Sequence, residues 1–324
     1  FANQPSALQA LRNSQIDTLA FVPWGEATSL KAEHVANHVI QLPQESVIFF
    51  NTKQTLLKDE KLRSILARSL DYAELTERLK PHATPVNSPF PFLQAPSSTP
   101  SLALEDARNA LTEIGWIVNP DDNIRRLKPT PAAPTRTARG VTTPVPTPLA
   151  SSTPLALTID VPNQADLIQI AEYLRQRWSL LGIRVEVNTK EPDALRRETV
   201  TNRDTYQVLV WNILLSPSQD LNPFWRSSQA AGAGLNFSNT VDKEVDTSLE
   251  AVRNATSTTA LQSARERVIR AITAHTPAIF VAQPAYTYLI NKRIQGVSDL
   301  KIAQPPDRLL QAQNWYIDSS WSWN

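Results

Sequence analysis

Residues 155–214 carry the pattern that most limits what this chain can fold into. LALTIDV (155–161) alternates apolar and polar positions, and IRVEVNT (183–189) does so again. Between them, Leu167, Ile170, Ala171, Leu174, Trp178 and Leu181 recur at helical spacing. Alternation at period two predicts strands, and recurrence at three and four residues predicts a helix with one apolar face. Strand, helix and strand in this order predict a βαβ unit, with Gly182 at the left-handed position that ends a helix. EPDALRRETV (191–200) adds a small helix. YQVLVWN (206–212) is an unbroken apolar run that suits a central parallel strand, buried on both faces. The fold class expected is α/β.

The flanking segments extend this pattern. In SALQALRNSQIDTLAFV, Ala7, Leu8, Leu11 and Ile16 keep a helical rhythm before Asp17 opens an extended run. SVIFFN predicts a strand over 47–50. A helix capped by Asp59 follows, with Leu62, Ile65, Leu66, Ser69 and Leu70 on its inner face. Pro81, Pro85, Pro89, Pro91, Pro96 and Pro100 exclude regular helix from the next stretch. A short helix over 105–114 stops at Gly115. Later, Val241, Val245, Leu249 and Val252 share one helical register, and Leu261, Val268 and Ile272 another that Pro277 ends. AIFVAQPAYTYLI reads as a strand, and a Trp-rich tail, NWYIDSSWSWN, closes the sequence.

Composition removes whole classes of function. With 32 Lys plus Arg against 31 Asp plus Glu, the net charge of +1 lacks the footprint of a nucleic-acid binder. The absence of Cys excludes disulfides, thiolate metal sites, Cys nucleophiles and iron–sulfur clusters. No apolar run reaches the roughly 18 residues that a bilayer span needs. The opening FANQPSALQALRNSQIDTLAFVP has neither a start Met nor the charged-then-apolar build of a signal peptide. Residues 128–154 hold seven prolines and no aromatic or acidic residue. That composition buries too little apolar surface to offset ordering entropy, which predicts a flexible or polyproline-like insertion.

Four stretches in their order resemble the extracellular solute-binding proteins of family 5, the oligopeptide, dipeptide and nickel receptors of ABC importers. VIFFNTKQTLLKDEKLRSILARSLDYAEL resembles the family's strand with Phe50, Asn51 and Thr52, followed by a helix bearing Arg63 and Asp71. LEDARNALTEIGW resembles the helix closing with Gly-Trp, here Gly115 and Trp116. NPFWRSSQAAGAGLNFSNTVDKEVDTSLEAVR is similar to Phe-Trp-x-Ser-Ser-Gln, then Gly-Leu-Asn, then a helix with Val-Asp. HTPAIFVAQPAYTYLINKRIQGV resembles the strand that returns to the first lobe.

The resemblance implies a two-lobe periplasmic-binding-protein-like fold of type II with one lobe incomplete. Residues 1–46 would end the first lobe, 47–287 would form the second and carry the insertion at 128–154, and 288–324 would return to the first. The opening is similar to the family's mid-chain helix and strand, with Ser14 in place of Gly, which implies the C-terminal portion of a receptor. It implies an extracytoplasmic monomer, periplasmic or a cell-surface lipoprotein, that meets the membrane only through an upstream anchor. Its partners would be a peptide or small polar solute and the permease subunits of an ABC transporter. Neither cofactor nor chemical turnover is implied.

Parallel strands present ligands at their carboxyl ends, which points to the loop after YQVLVWN and to Trp211, Asn212 and Asp220. A Trp at a strand end walls a cleft, and an Asp pairs with a ligand ammonium. The plainer reading makes Trp211 core and Asp220 a turn residue. Where the family often carries an acid in this loop, Ser218 stands here and Asp220 remains. Asn51 either offers its amide to a ligand or bonds local backbone. Trp24, just past the strand ending at Val22, is a further candidate for the cleft edge. Phe224 and Trp225 are expected to pack into the lobe, and GAGLNFSN, which lacks a phosphate-loop spacing, to form a turn. His34 and His38 have the spacing of one helix face, but no HExxH and no third ligand accompany them, so solvated histidines are expected at 34, 38, 82 and 275. The alternatives are a receptor-like protein-interaction domain, for which the Pro-rich insertion speaks, and an α/β hydrolase, for which no G-x-S-x-G elbow is present.

Overall fold

The computed structural model describes residues 1, 4–22, 27, 30, 32–41, 43–79, 83–91, 93, 101–128, 153–216, 218–297 and 305–317. Helix α1 (Gln4–Arg12) leads into strand β1 (Thr18–Ala20). Strands β2 (Val35–Gln41) and β3 (Gln44–Phe50) follow, nearly end to end. Strand β3 has no exposed residue, and the VIFF run accounts for that on both faces. Helix α2 (Glu60–Arg68) begins where Asp59 Oδ1 accepts from the Lys61 amide at 2.9 Å, as its sequence predicts. Helices α3 (Tyr72–Leu79) and α4 (Leu104–Glu113) come next, with the short strand β4 (Ala83–Pro85) between them.

The βαβ unit forms as its periodicity predicts. Strand β7 (Ala156–Pro162), helix α5 (Ala165–Ser179) and strand β8 (Arg184–Lys190) make it, and β7 pairs with β8 in parallel from Ala156↔Arg184 to Pro162↔Lys190. All six apolar residues expected on the helix's inner stretch are buried. Helix α6 (Pro192–Thr201) then leads to strand β9 (Val208–Leu214). Helices α7 (Asn222–Trp225), α8 (Lys243–Arg253) and α9 (Thr258–Ala274) precede strand β10 (Ala278–Asn291), a single 14-residue strand.

These strands join in one sheet of order β1-β10-β3-β9-β7-β8, with β2 and β4 also paired to β10. The sheet corrects one expectation. Strand β9 is parallel to β7 but antiparallel to β3 along its whole length, so the sheet is mixed. Three smaller corrections follow. Val241 is 74% exposed and lies before the helix that Asp242 caps, outside the register expected of it. His38 lies within strand β2 and His34 just before it, not on a helix face. A hairpin of β5 (Trp116–Val118) and β6 (Arg125–Leu127), which no strong alternation announces, stands beside α4. Of the Pro-rich insertion, 129–152 lie outside the described residues, as do 318–324 of the tail.

The core has two large parts, one on each face of the sheet. Ile48, Phe50, Leu157, Ile159, Val208 and Val210 pack against α2 to α5. Val47, Phe49, Leu209 and Ile213 pack against α7 to α9 through Phe224, Trp225, Leu249 and Ile272. Each such side chain withdrawn from water is worth about 1.5–3 kcal/mol. Two smaller clusters lie around the distal half of β10, one on Tyr286, Tyr288 and Ile290, the other on Leu289 with Leu11 and Val22. Arg63 ties the first core to the end of α9: its guanidinium donates to the carbonyls of Leu57 at 2.7 Å and His275 at 2.6 Å.

Candidate functional site

Two strand paths cross the molecule together. Strands β2 and β3 run in the same direction along one edge of β10, with β2 paired to 285–291 and β3 to 278–282. Their junction, at residues 41–46 opposite 281–286, coincides with a β-bulge between Phe280 and Ala282. The end of β9 reaches the same place, because Glu45 pairs with Ile213 and Ser46 with Asn212. The parallel pair β7 and β9 therefore delivers its carboxyl ends beside this crossing, where ligands sit in α/β sheets.

Cross-strand partners project from the same face of a sheet, which divides the candidates. Trp211 shares a face with Val47, Glu45 and Ile213. It is half-buried, 6.2 Å from the Phe237 ring at the edge of the aromatic group of Phe49, Trp225 and Phe237. Asn212 lies on the opposite face, where its Oδ1 accepts from Ser46 Oγ at 2.7 Å. Asp220 closes the loop after β9: its Oδ1 accepts from the Asn222 amide at 3.0 Å and from Asn222 Nδ2 at 2.6 Å. That geometry realises the turn reading and leaves the second carboxylate oxygen outside the turn.

Asn51 requires a correction. It is fully buried, and its Nδ2 donates to the carbonyls of Arg203 at 2.6 Å and Tyr206 at 2.8 Å. Its Oδ1 accepts from the Lys53 amide and from Asn239 Nδ2. With both donors and both lone pairs engaged, the amide has nothing left for a ligand. It instead locks the end of β3 to the GAGLNFSN segment, where Arg203 donates to the Gly234 and Asn236 carbonyls. Trp24 lies outside the described residues.

The sequence reading missed Glu45. Its carboxyl is fully buried, and among the described residues neither oxygen has a hydrogen-bond partner. Burial alone pushes its pKa well above the ordinary range. The available signal was an acid in the strand QESVIFF, on the face that Val47 and Phe49 bury. Asp160 on β7 offers a contrast. It is equally buried, but Lys190 Nζ lies 3.2 Å away and also meets Glu198 at 2.9 Å. Burial raises the pKa of Asp160 despite the opposing Lys190 charge. Among the described residues, no group of three His, Asp or Glu side chains is arranged to hold a metal ion. None of their helices is long and apolar enough to cross a membrane.

Comparisons with known proteins agree with this architecture. The oligopeptide-binding protein AppA of Bacillus subtilis, solved with a nonapeptide, superposes with a TM-score of 0.77 at 18% identity, covering 97% of this chain and 58% of that one. NikZ of Campylobacter jejuni, solved with Ni(L-His), gives 0.77 at 18%, covering 96% and 59%. DppA of Helicobacter pylori, solved with the peptide STSA, gives 0.74 at 14%, covering 98% and 56%. At such identities the likeness establishes the fold, and the chain spans less than two thirds of the length of these structures. No curated protein sequence matches it. The middle-region model of the bacterial extracellular solute-binding proteins, family 5, matches residues 1–234. The chain belongs to that family.

Proposed function

We propose that this protein is the solute-capturing component of an ABC importer, taking a peptide or a similar small polar solute and handing it unchanged to a membrane permease outside the cytoplasm. The observation that carries this reading is the family match over residues 1–234. The neighbours solved with a nonapeptide and with the peptide STSA point to the solute class. In this reading residues 1–46 and 288–324 belong to one lobe and 47–287 to the other. The cleft lies where the strands cross, with Trp211, Asn212 and Asp220 at its rim. Contacts to both lobes then favour the closed state, since a ligand shifts an equilibrium only by its differential affinity.

The test is thermal unfolding of the full-length protein with and without a pool of di- to pentapeptides, the peptides afterwards recovered for mass spectrometry. The expected result is a higher midpoint, equivalent to about 2.7 kcal/mol at a hundredfold excess over Kd, with the peptides intact. An unchanged midpoint removes peptides as the solute and turns attention to sugars, metal chelates or a protein partner. Cleaved peptides favour a hydrolase.

A further inference from the structure

Five charged residues are buried among those described: Glu45, Arg63, Arg125, Asp160 and Arg203. Four have partners. Arg63, Arg125 and Arg203 donate to backbone carbonyls, and Asp160 pairs with Lys190. Among the described residues, Glu45 alone of these five has neither an ion pair nor a hydrogen bond to either oxygen. An unpartnered buried carboxyl is a standing cost to a fold, since each polar atom taken from water without a partner is destabilising.

Its position shows what the cost obtains. Glu45 sits where β2 gives way to β3, one residue from Ser46, which with Val47 faces the β-bulge of β10, the kind of irregularity that re-aims side chains beside binding sites. It shares a sheet face with the half-buried Trp211. On that face Val47 and its neighbour Ile213 are buried, so it is at Trp211 that this side of the strand pair reaches solvent.

We propose that Glu45 receives a basic group, a primary ammonium or a guanidinium, of the solute this protein captures. The proposal rests on the solute-capture reading and adds a specificity-determining residue to it. On binding, the buried carboxyl releases its proton to solvent and supplies the anion, the basic solute supplies the missing charge-assisted hydrogen bonds, and Trp211 lies beside the aliphatic part of that group. A solute without a basic group leaves Glu45 as unpaired as it is in the free protein, gains nothing from it and binds more weakly.

The experiment compares the full-length wild type with Glu45→Gln and Glu45→Leu. Calorimetric titrations use trialanine, N-acetyl-trialanine, trilysine and its norleucine analogue, with putrescine, agmatine and arginine as small probes. At least one probe with a basic group is expected to bind wild type and to weaken at least tenfold in E45Q. If the basic group is a peptide amino terminus, acetylation costs wild type at least tenfold and E45Q less than threefold. If it is a side chain, norleucine substitution shows that pattern instead. Without ligand, at least one variant is expected to melt above wild type, because removing an unpaired buried carboxyl relieves its cost.

If every basic probe that binds wild type is held equally well by E45Q, the proposal is overturned and solute capture stands. Both variants melting below wild type also overturns it, by making the carboxyl part of the scaffold. If no peptide binds wild type, peptides fail as the solute, and Glu45 is judged on putrescine, agmatine and arginine. If these fail too, the proposal is overturned.

Discussion

At the residue scale, Glu45 gives the unliganded protein a pH dependence whose sign is fixed. Its native pKa lies above that of the unfolded chain, which is about 4.3 for a glutamate. Below that value both states hold the proton, and the group adds no slope. As pH rises, the unfolded state ionises while the native state keeps its proton, so stability falls by up to about tenfold in the folding equilibrium per pH unit until the native carboxyl ionises. Asp160, whose pKa is raised in the same direction, adds to this slope, so the contribution of Glu45 is read as a difference. Urea unfolding of wild type and Glu45→Gln between pH 4 and pH 8 is expected to give a gap that widens in the variant's favour as pH rises. A constant gap would mean that Glu45 titrates alike in the folded and unfolded states.

At the element scale, what was legible in the sequence is what is local. The β7, α5 and β8 unit spans 156–190, and every contact that defines it is set by short periodicities and by one glycine. Gly182 ends that helix at φ +80°, and an added Cβ would lie 3.0 Å from the Asn123 carbonyl oxygen. Gly182→Ala is therefore expected to cost about 1–2 kcal/mol in urea unfolding and to leave solute affinity unchanged. The strand crossing was illegible because its pairs are remote: Ser46 meets Asn212 across 166 positions, and no local pattern states that order. The carboxyl end of β9 points to Trp211 and Asn212 as candidates, yet Glu45 enters the same place from the start of an antiparallel neighbour. Asn51 misled for a similar reason. Its position after a strand was visible, whereas the carbonyls of Arg203 and Tyr206 that occupy its amide come from about 150 residues away. Strand β2 escapes the sequence because VANHVIQ has no strict apolar–polar alternation, while His34 and His38, four apart, imitate a helix face.

At the scale of the whole molecule, the Pro-rich insertion is the feature that separates a solute receptor from an interaction domain. Its two ends are already brought together. Arg126 and Pro154 form an antiparallel bridge, and the Leu155 amide donates to the Arg125 carbonyl at 2.7 Å. Arg125 in turn is fixed by its donation to the carbonyls of Leu181 at 2.7 Å and Arg108 at 2.9 Å, so the base of the insertion is anchored by α4 and α5. A lobe closed in this way does not need the intervening 129–152 to hold its shape, and their composition offers no aromatic anchor for packing. Replacing them with a four-residue Gly-Ser link shortens the loop about sixfold, which lowers its closure cost by about 1.5 kcal/mol. The shortened protein is expected to unfold at an equal or higher urea midpoint and to bind its solute with unchanged affinity. A loss of more than about 2 kcal/mol would show that the insertion packs on the lobe. Intact stability with lost solute binding would place the insertion in the cleft and make it part of recognition.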